Sequence, residues 1–139
     1  MFKRLQSHLQ WRNDLLLSGR YEDLALTYVL PQVIYLGGDI VKLTDMGAAT
    51  RFLRGLHGNL TQRGIKSGRV RVIAVGLPAR GRFKVWLATT FAAPTGESSS
   101  QAVYYMIDTT QGLRSEMMEF ASSDQLQSQS LRQERSSLI

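Results

Sequence analysis

From Arg82 to Phe91 the side-chain character changes at every residue. Phe83, Val85, Leu87, Thr89 and Phe91 alternate with Arg82, Lys84, Trp86, Ala88 and Thr90. A period of two belongs to an extended strand with one face on a core and the other on solvent or a partner. Three further β-rich runs surround it, so the sequence predicts strands over residues 69–77, 82–92, 101–107 and 113–121. The links between them are short and carry Pro78 and Gly81, Pro94 and Gly96, and Gly112. Links of that length make hairpins, whereas a parallel crossover needs many more residues. The second half of the chain is therefore expected to be a curling antiparallel meander, and the first half must cover one of its faces.

Leu5, Leu9, Arg12 and Leu16 recur at spacings of three and four after Phe2, with Trp11 and Leu15 widening the stripe. This predicts an amphipathic helix over residues 2–17, closed by Gly19 just past its end. His8 and Trp11 lie on the shoulder of the stripe as a packed aromatic edge. Residues 20–28 read as a second, shorter helix, with Glu22 and Asp23 in a first turn that favours acids. Pro31 stops helical structure before it. Residues 32–36 and 39–43 flank Gly37-Gly38, a hairpin signal. Thr44 or Asp45 can cap a third helix, residues 46–63, whose buried stripe is Met46, Ala49, Phe52, Leu53, Leu56 and Leu60. His57 falls at the boundary of that stripe.

With 139 residues and 43% hydrophobic composition, the chain fits a single domain with a real core, expected to span residues 1–121. Residues 122–139, rich in Ser, Gln and Arg, are expected to form a mobile tail. The absence of cysteine excludes disulfides, thiolate metal sites and a cysteine nucleophile, and suits a cytoplasmic protein. Two histidines are too few for a multi-histidine metal centre, and no metal or cofactor is expected. The net charge of +6 raises the question of nucleic acid, but the basic residues are spread along the chain, and a solvated basic surface explains them better. No secretory leader is evident, and no apolar run approaches the roughly 20 residues of a membrane span.

The order helix, helix, hairpin, helix, meander resembles the nuclear transport factor two-like superfamily, which includes SnoaL-like cyclases, ketosteroid isomerase and scytalone dehydratase. Three stretches carry the likeness. One runs from Trp11 to Tyr28 through Ser18-Gly19-Arg20-Tyr21-Glu22-Asp23-Leu24, and one covers Tyr28-Val29-Leu30-Pro31-Gln32-Val33-Ile34-Tyr35. The last, from Asp108 through Gly112 to Phe120, is similar to the family's final turn and strand. The resemblance implies an α+β roll of the cystatin-like type, a curved antiparallel sheet wrapped as a cone around the long helix. It also implies an apolar pocket at the open end and a homodimer through the outer sheet face, where Arg71, Lys84, Trp86 and Thr90 are candidates.

Enzymes and binding modules share this fold, so chemistry must be argued from residues. A ketosteroid-isomerase-like mechanism needs a carboxylate base on the first strand. Residues 32–36 contain no acid, and Asp39 falls at the hairpin tip. His57 is far in sequence from its candidate acid partners, Asp108 and Glu116. Asp108 suits a turn, and Glu116 suits solvent or an interface. No residue is therefore assigned as catalytic. Trp11, Tyr28, Tyr35, Phe52, Leu56, Tyr105 and Met118, with Leu15, have the sizes and approximate places to line a pocket for a small apolar or aromatic ligand. They could also simply fill the cone. Tyr104 and Tyr105 must point to opposite faces, so only one can face it. The leading expectation is a small-molecule or protein-partner binding domain. The alternatives are an isomerase, dehydratase or cyclase acting by proton transfer on a polyketide- or steroid-like substrate, and a basic module that binds an acidic partner or nucleic acid through Arg69, Arg71, Arg80, Arg82 and Lys84.

Overall fold

The computed structural model describes residues 1–121. The expected C-terminal tail lies outside the described residues. Helices α1 (Phe2–Leu17) and α2 (Tyr21–Ala25) precede the hairpin β1 (Tyr28–Leu36) and β2 (Asp39–Leu43). Helix α3 (Met46–Gln62) leads into β3 (Ser67–Val75), β4 (Arg82–Ala93), β5 (Gly96–Thr109) and β6 (Gly112–Phe120). The strands form one open, curved sheet in the order β2-β1-β6-β5-β4-β3. The meander from β3 to β6 is antiparallel throughout, as expected. The early hairpin joins it by a parallel pairing of β1 with β6. No described helix is long and apolar enough to cross a membrane.

Several boundaries differ from the sequence-based expectation, among them that of β3, which runs over Ser67–Val75 rather than residues 69–77. The second helix ends at Ala25 rather than Tyr28, and the first strand begins at Tyr28 rather than Gln32. The cause is tertiary: β6 recruits the segment. Ser115 N–H donates to Thr27 O at 3.0 Å, and Arg114 donates to Leu26 O at 2.9 Å. Pro31 is tolerated inside β1 because it lies where the pairing with β6 shifts register, between Tyr28 and Val33, and a proline there forfeits no ladder bond. Strand β5 is also longer than residues 101–107, because it pairs with β4 without interruption from Ala93↔Gly96 to Arg82↔Ile107.

Curvature comes from irregularities in the ladders. Ile73 is an extra residue in β3, between Val72↔Leu87 and Ala74↔Trp86, and Glu116 is an extra residue in β6, between Met106↔Ser115 and Tyr105↔Met117. Such bulges bend a strand and increase its twist. The concave face holds α1 and α3. Phe83, Val85, Leu87 and Phe91 point into it, so of the two alternating sets the structure makes this the inward one. Helix α3 starts at Asp45, whose carboxylate accepts the Ala48 N–H at 2.8 Å, a side-chain cap.

Strand β3 is an edge, and edges carry a row of unpaired backbone groups. Helix α1 covers this one with side-chain amides. Gln6 donates to Val70 O at 2.6 Å and accepts from Val72 N–H at 2.8 Å. Gln10 donates to Gly68 O at 2.9 Å and accepts from Val70 N–H at 2.8 Å. Each glutamine thus imitates one residue of a neighbouring strand. Close approach also requires Gly68: a Cβ there would lie 2.8 Å from the Phe91 ring and 3.0 Å from Asn13 Nδ2. Gln10→Leu keeps volume and helix propensity but removes both hydrogen bonds to the strand, at about 0.5–1.5 kcal/mol each, besides an exposed one to Asp14. Chemical denaturation should show a loss of about 1–3 kcal/mol, whereas an unchanged midpoint would show that water replaces the amide at no cost.

Candidate functional site

Helix α1 turns its stripe of Leu5, Leu9, Arg12 and Leu16 toward the concave face. Three of these are ordinary core residues. Arg12 is a cation in a core position, and only 5% of it is exposed. Its guanidinium lies 5.1 Å from the Tyr28 ring centre and 5.3 Å from that of Tyr104, with Nη2 3.8 Å from the Met118 sulfur. Nη1 is wholly buried and, among the described residues, has no hydrogen-bond partner. Cation–π contacts contribute about 0.5–2 kcal/mol each. They do not replace the hydrogen bonds to water that burial removes.

Beside Arg12 lies a cavity of about 70 Å³. Leu16, Leu56, Phe52 and Phe91 give it apolar walls, and Arg12, Asn13, Thr89, Ser100, Tyr28 and Tyr104 give it polar ones. Among the described residues, no aspartate, glutamate or histidine lines it. Burial pushes the Tyr28 hydroxyl up to about 12, against the pull of the Arg12 charge, and pushes Tyr104 up in the same way. Both tyrosines therefore stay neutral donors at physiological pH.

Of the residues expected to line the pocket, Tyr28, Phe52, Leu56 and Met118 do so. Trp11, Tyr35 and Tyr105 do not, and each is corrected by phase. Trp11 is one residue off the stripe, 46% exposed, and packs its ring against His8 with centroids 5.6 Å apart. On β1 the inward residues are Gln32, Ile34 and Leu36, so Tyr35 faces outward opposite Glu119. On β5, Tyr104 pairs with inward Val85 and Tyr105 with outward Lys84. The Lys84 ammonium sits 5.2 Å from the Tyr105 ring, and the Tyr105 hydroxyl donates to Glu119 at 3.3 Å. Leu15 packs in the core beside α3 without lining the cavity.

The other candidate groups are engaged elsewhere. Asp108 accepts two bonds from Arg4, at 2.9 and 3.0 Å, which hold its carboxyl below the usual range. Glu116 accepts from Arg82 Nε at 2.9 Å. His57 shares a 2.6 Å hydrogen bond with the Tyr21 hydroxyl, so it meets neither acid. Gln32 and Ser115 are fully buried inward residues of β1 and β6 whose side-chain polar atoms have no partner among the described residues. Sequence reasoning missed Arg12, Tyr104 and Gln32. For Arg12 the signal was visible, as a charge inside an otherwise apolar stripe.

Solved structures of similar fold were compared with this arrangement. Aln2 from a Streptomyces species aligns with a TM-score of 0.69 at 15% identity, over 90% of this chain and 92% of its own. An NTF2-like protein with a cystatin-like fold from Novosphingobium aromaticivorans aligns at 0.62 and 16% identity, over 88% and 81%. An NTF2-like protein of unknown function from Shewanella oneidensis aligns at 0.64 and 6%, over 86% and 98%. At these identities the likeness is one of fold, and the chain has the NTF2-like, cystatin-like architecture its sequence resembles. No family model and no curated protein matches the sequence.

His8 reports on the charge of this region. Burial, then repulsion from Arg12 and Arg4, lowers its imidazole to about 4 from an ordinary 6.5. The unfolded chain takes up that proton first, so His8 erodes stability as pH falls from 6.5 toward 4. Thermal midpoints across that window should fall less for His8→Gln than for the wild type. Parallel profiles would remove His8 from the acid response.

Proposed function

We propose that this protein is a binding module that takes a small molecule into the concavity between α1, α3 and the sheet. The observation that carries this reading is the cavity itself, mostly apolar, with Tyr28, Tyr104 and the cationic Arg12 among the residues that line it. Apolar walls with few, placed polar groups are the usual make-up of a ligand site. At about 70 Å³ the space is well below the several hundred Å³ of a pocket for a drug-sized compound. It suits a small molecule, or the buried end of a larger one.

The composition of the wall favours binding over proton-transfer catalysis. An isomerase or dehydratase needs a group that takes a proton near neutral pH. The described lining offers no carboxylate or imidazole, and burial raises the pKa of its tyrosines still further above neutral pH. Leu56, on the wall, is the residue for the test. Leu56→Trp should fill the cavity while keeping an apolar contact surface. Small aromatic and aliphatic compounds should raise the thermal midpoint of the wild type and leave that of Leu56→Trp unmoved. Equal responses would place any binding elsewhere, and a wild type that responds to none would remove the reading.

A second proposal concerns the convex face. Ile73 is 47% exposed and Trp86 39%, on neighbouring strands, with Trp86 paired to Val103 on its other side. An exposed tryptophan among apolar neighbours suits an interface anchor, and we infer a homodimer through this face. Trp86→Glu should then sediment as a monomer while the wild type and Leu56→Trp sediment as dimers. A monomeric wild type would end the proposal.

A further inference from the structure

The geometry points to a ligand that carries one negative charge, a carboxylate or an enolate oxygen on a compact apolar body, held by Arg12. This rests on the small-molecule reading of the cavity and names the class of molecule that fits it. Arg12 is buried, lines the cavity and presents a wholly buried Nη1 without a partner among the described residues. A histidine or lysine in such a place can shed its charge, but a guanidinium does not. None of the ion pairs among the described residues reaches Arg12. The carboxylates of Asp108, Asp23 and Glu116 are each committed to another arginine. Two tyrosine rings and a thioether soften the cost of burial without supplying a negative charge. The missing counter-charge is therefore best supplied by what enters the cavity.

The same geometry selects among anions. Among the described residues that line the cavity, Arg12 is the single cationic group. A monoanion is neutralised there, whereas a phosphate dianion would leave one charge buried against Leu16, Leu56, Phe52 and Phe91. Nη2 faces the Met118 sulfur at 3.8 Å, and Nη1 is the guanidinium nitrogen left without an acceptor among the described residues. The ring centres of Tyr28 and Tyr104 lie 5.1 and 5.3 Å from the guanidinium carbon, and the rings flank it with apolar surface. Charge-assisted bonds of this kind are roughly twice as strong as neutral ones.

The test compares sodium benzoate and hexanoate with their neutral isosteres, benzamide and hexanamide. Binding is measured by calorimetry at neutral pH on the wild type, Arg12→Met and Arg12→Lys. The expected result is acids binding the wild type about tenfold or more tighter than amides. Arg12→Met should abolish or invert that preference, and Arg12→Lys should keep part of it. Amides binding as tightly as acids, with no change in Arg12→Met, would overturn the anion inference and leave the small-molecule reading standing. Should neither acids nor amides bind, and native mass spectrometry of the purified protein find no retained compound, both would fall. Should Arg12→Met not fold, the comparison of Arg12→Lys with the wild type decides the question alone.

Discussion

The pairing of α1 with the edge of β3 is the interaction on which the rest of the structure depends. Gln6 and Gln10 lie one helical turn apart and reach backbone groups two residues apart on the strand. A turn of helix rises about 5.4 Å, and two strand residues span about 6.6 Å. The two repeats are close enough for a pair of side chains to bridge them. Once both amides are engaged, the rotation of α1 about its axis is fixed. Leu5 and Leu9 must then enter the cluster with Val70, Val72, Phe83 and Val85, and Arg12 must enter the concavity one turn further on. An edge left open would invite another chain. Here closing the edge and aiming the helix are the same event.

That arrangement leaves the core in two parts. One cluster gathers α3 with β1, β2 and Leu15 and Leu16 of α1, and the other gathers Leu5 and Leu9 with the meander. Tyr104 and Phe120 are partly buried and touch both. Arg12 falls in the helix between Leu9 and Leu16, at the seam where the two clusters would otherwise merge. A leucine there would unite them, and replacing a buried charge by an apolar group of similar volume is often neutral or stabilising. The protein gives up that continuity, and what it has in exchange is a mostly apolar space with Arg12, Tyr28 and Tyr104 on its wall. A residue that costs stability where an apolar one would serve better is the kind of local inconsistency that marks function.

How much of this the sequence revealed depended on whether the governing contacts were local. The bounds of α1 follow from a stripe and a glycine, those of β2 from a Gly-Gly turn, and the two alternating sets of β4 from their period, though not which set turns inward. Tyr28 was misplaced into a helix because its own strand pairing is with β6 alone, almost ninety positions away as the Tyr28↔Ser115 pairing shows. The choice between Tyr104 and Tyr105 turned on the phase of β5, and nothing inside β5 sets it. Val85 does, through the ladder from β4. Trp11 drew attention as a large aromatic, yet Arg12 held the inward position. Composition suggested what a pocket wall should be made of, and periodicity said where the wall was. When the two disagreed, periodicity was the better guide, because the rotation of a helix is set by its whole stripe and not by its largest side chain.

The two faces of the sheet treat charge in opposite ways. On the convex face charges are compensated at once: Arg82 meets Glu116, Lys84 lies over Tyr105, and Tyr105 bonds Glu119. These contacts gather on β4, β5 and β6 and leave Ile73 and Trp86, toward the β3 side, as the apolar part of that face. Exposed pairs of this kind contribute little to stability, about 0–1 kcal/mol each, and solvent can replace either partner. Inside the concavity no such replacement exists among the described residues, so a single guanidinium dominates the local field. Surface charges act at a distance and are screened within about 8 Å at physiological salt. They can hasten the arrival of an anion without holding it. Arg12 is desolvated and screened far less, so under the anion-binding proposal it is the group that would set how long an anion stays. The bulges at Ile73 and Glu116 that bend the sheet separate the two regimes, because they help give it a concave side covered by α1 and α3 and a convex side left open.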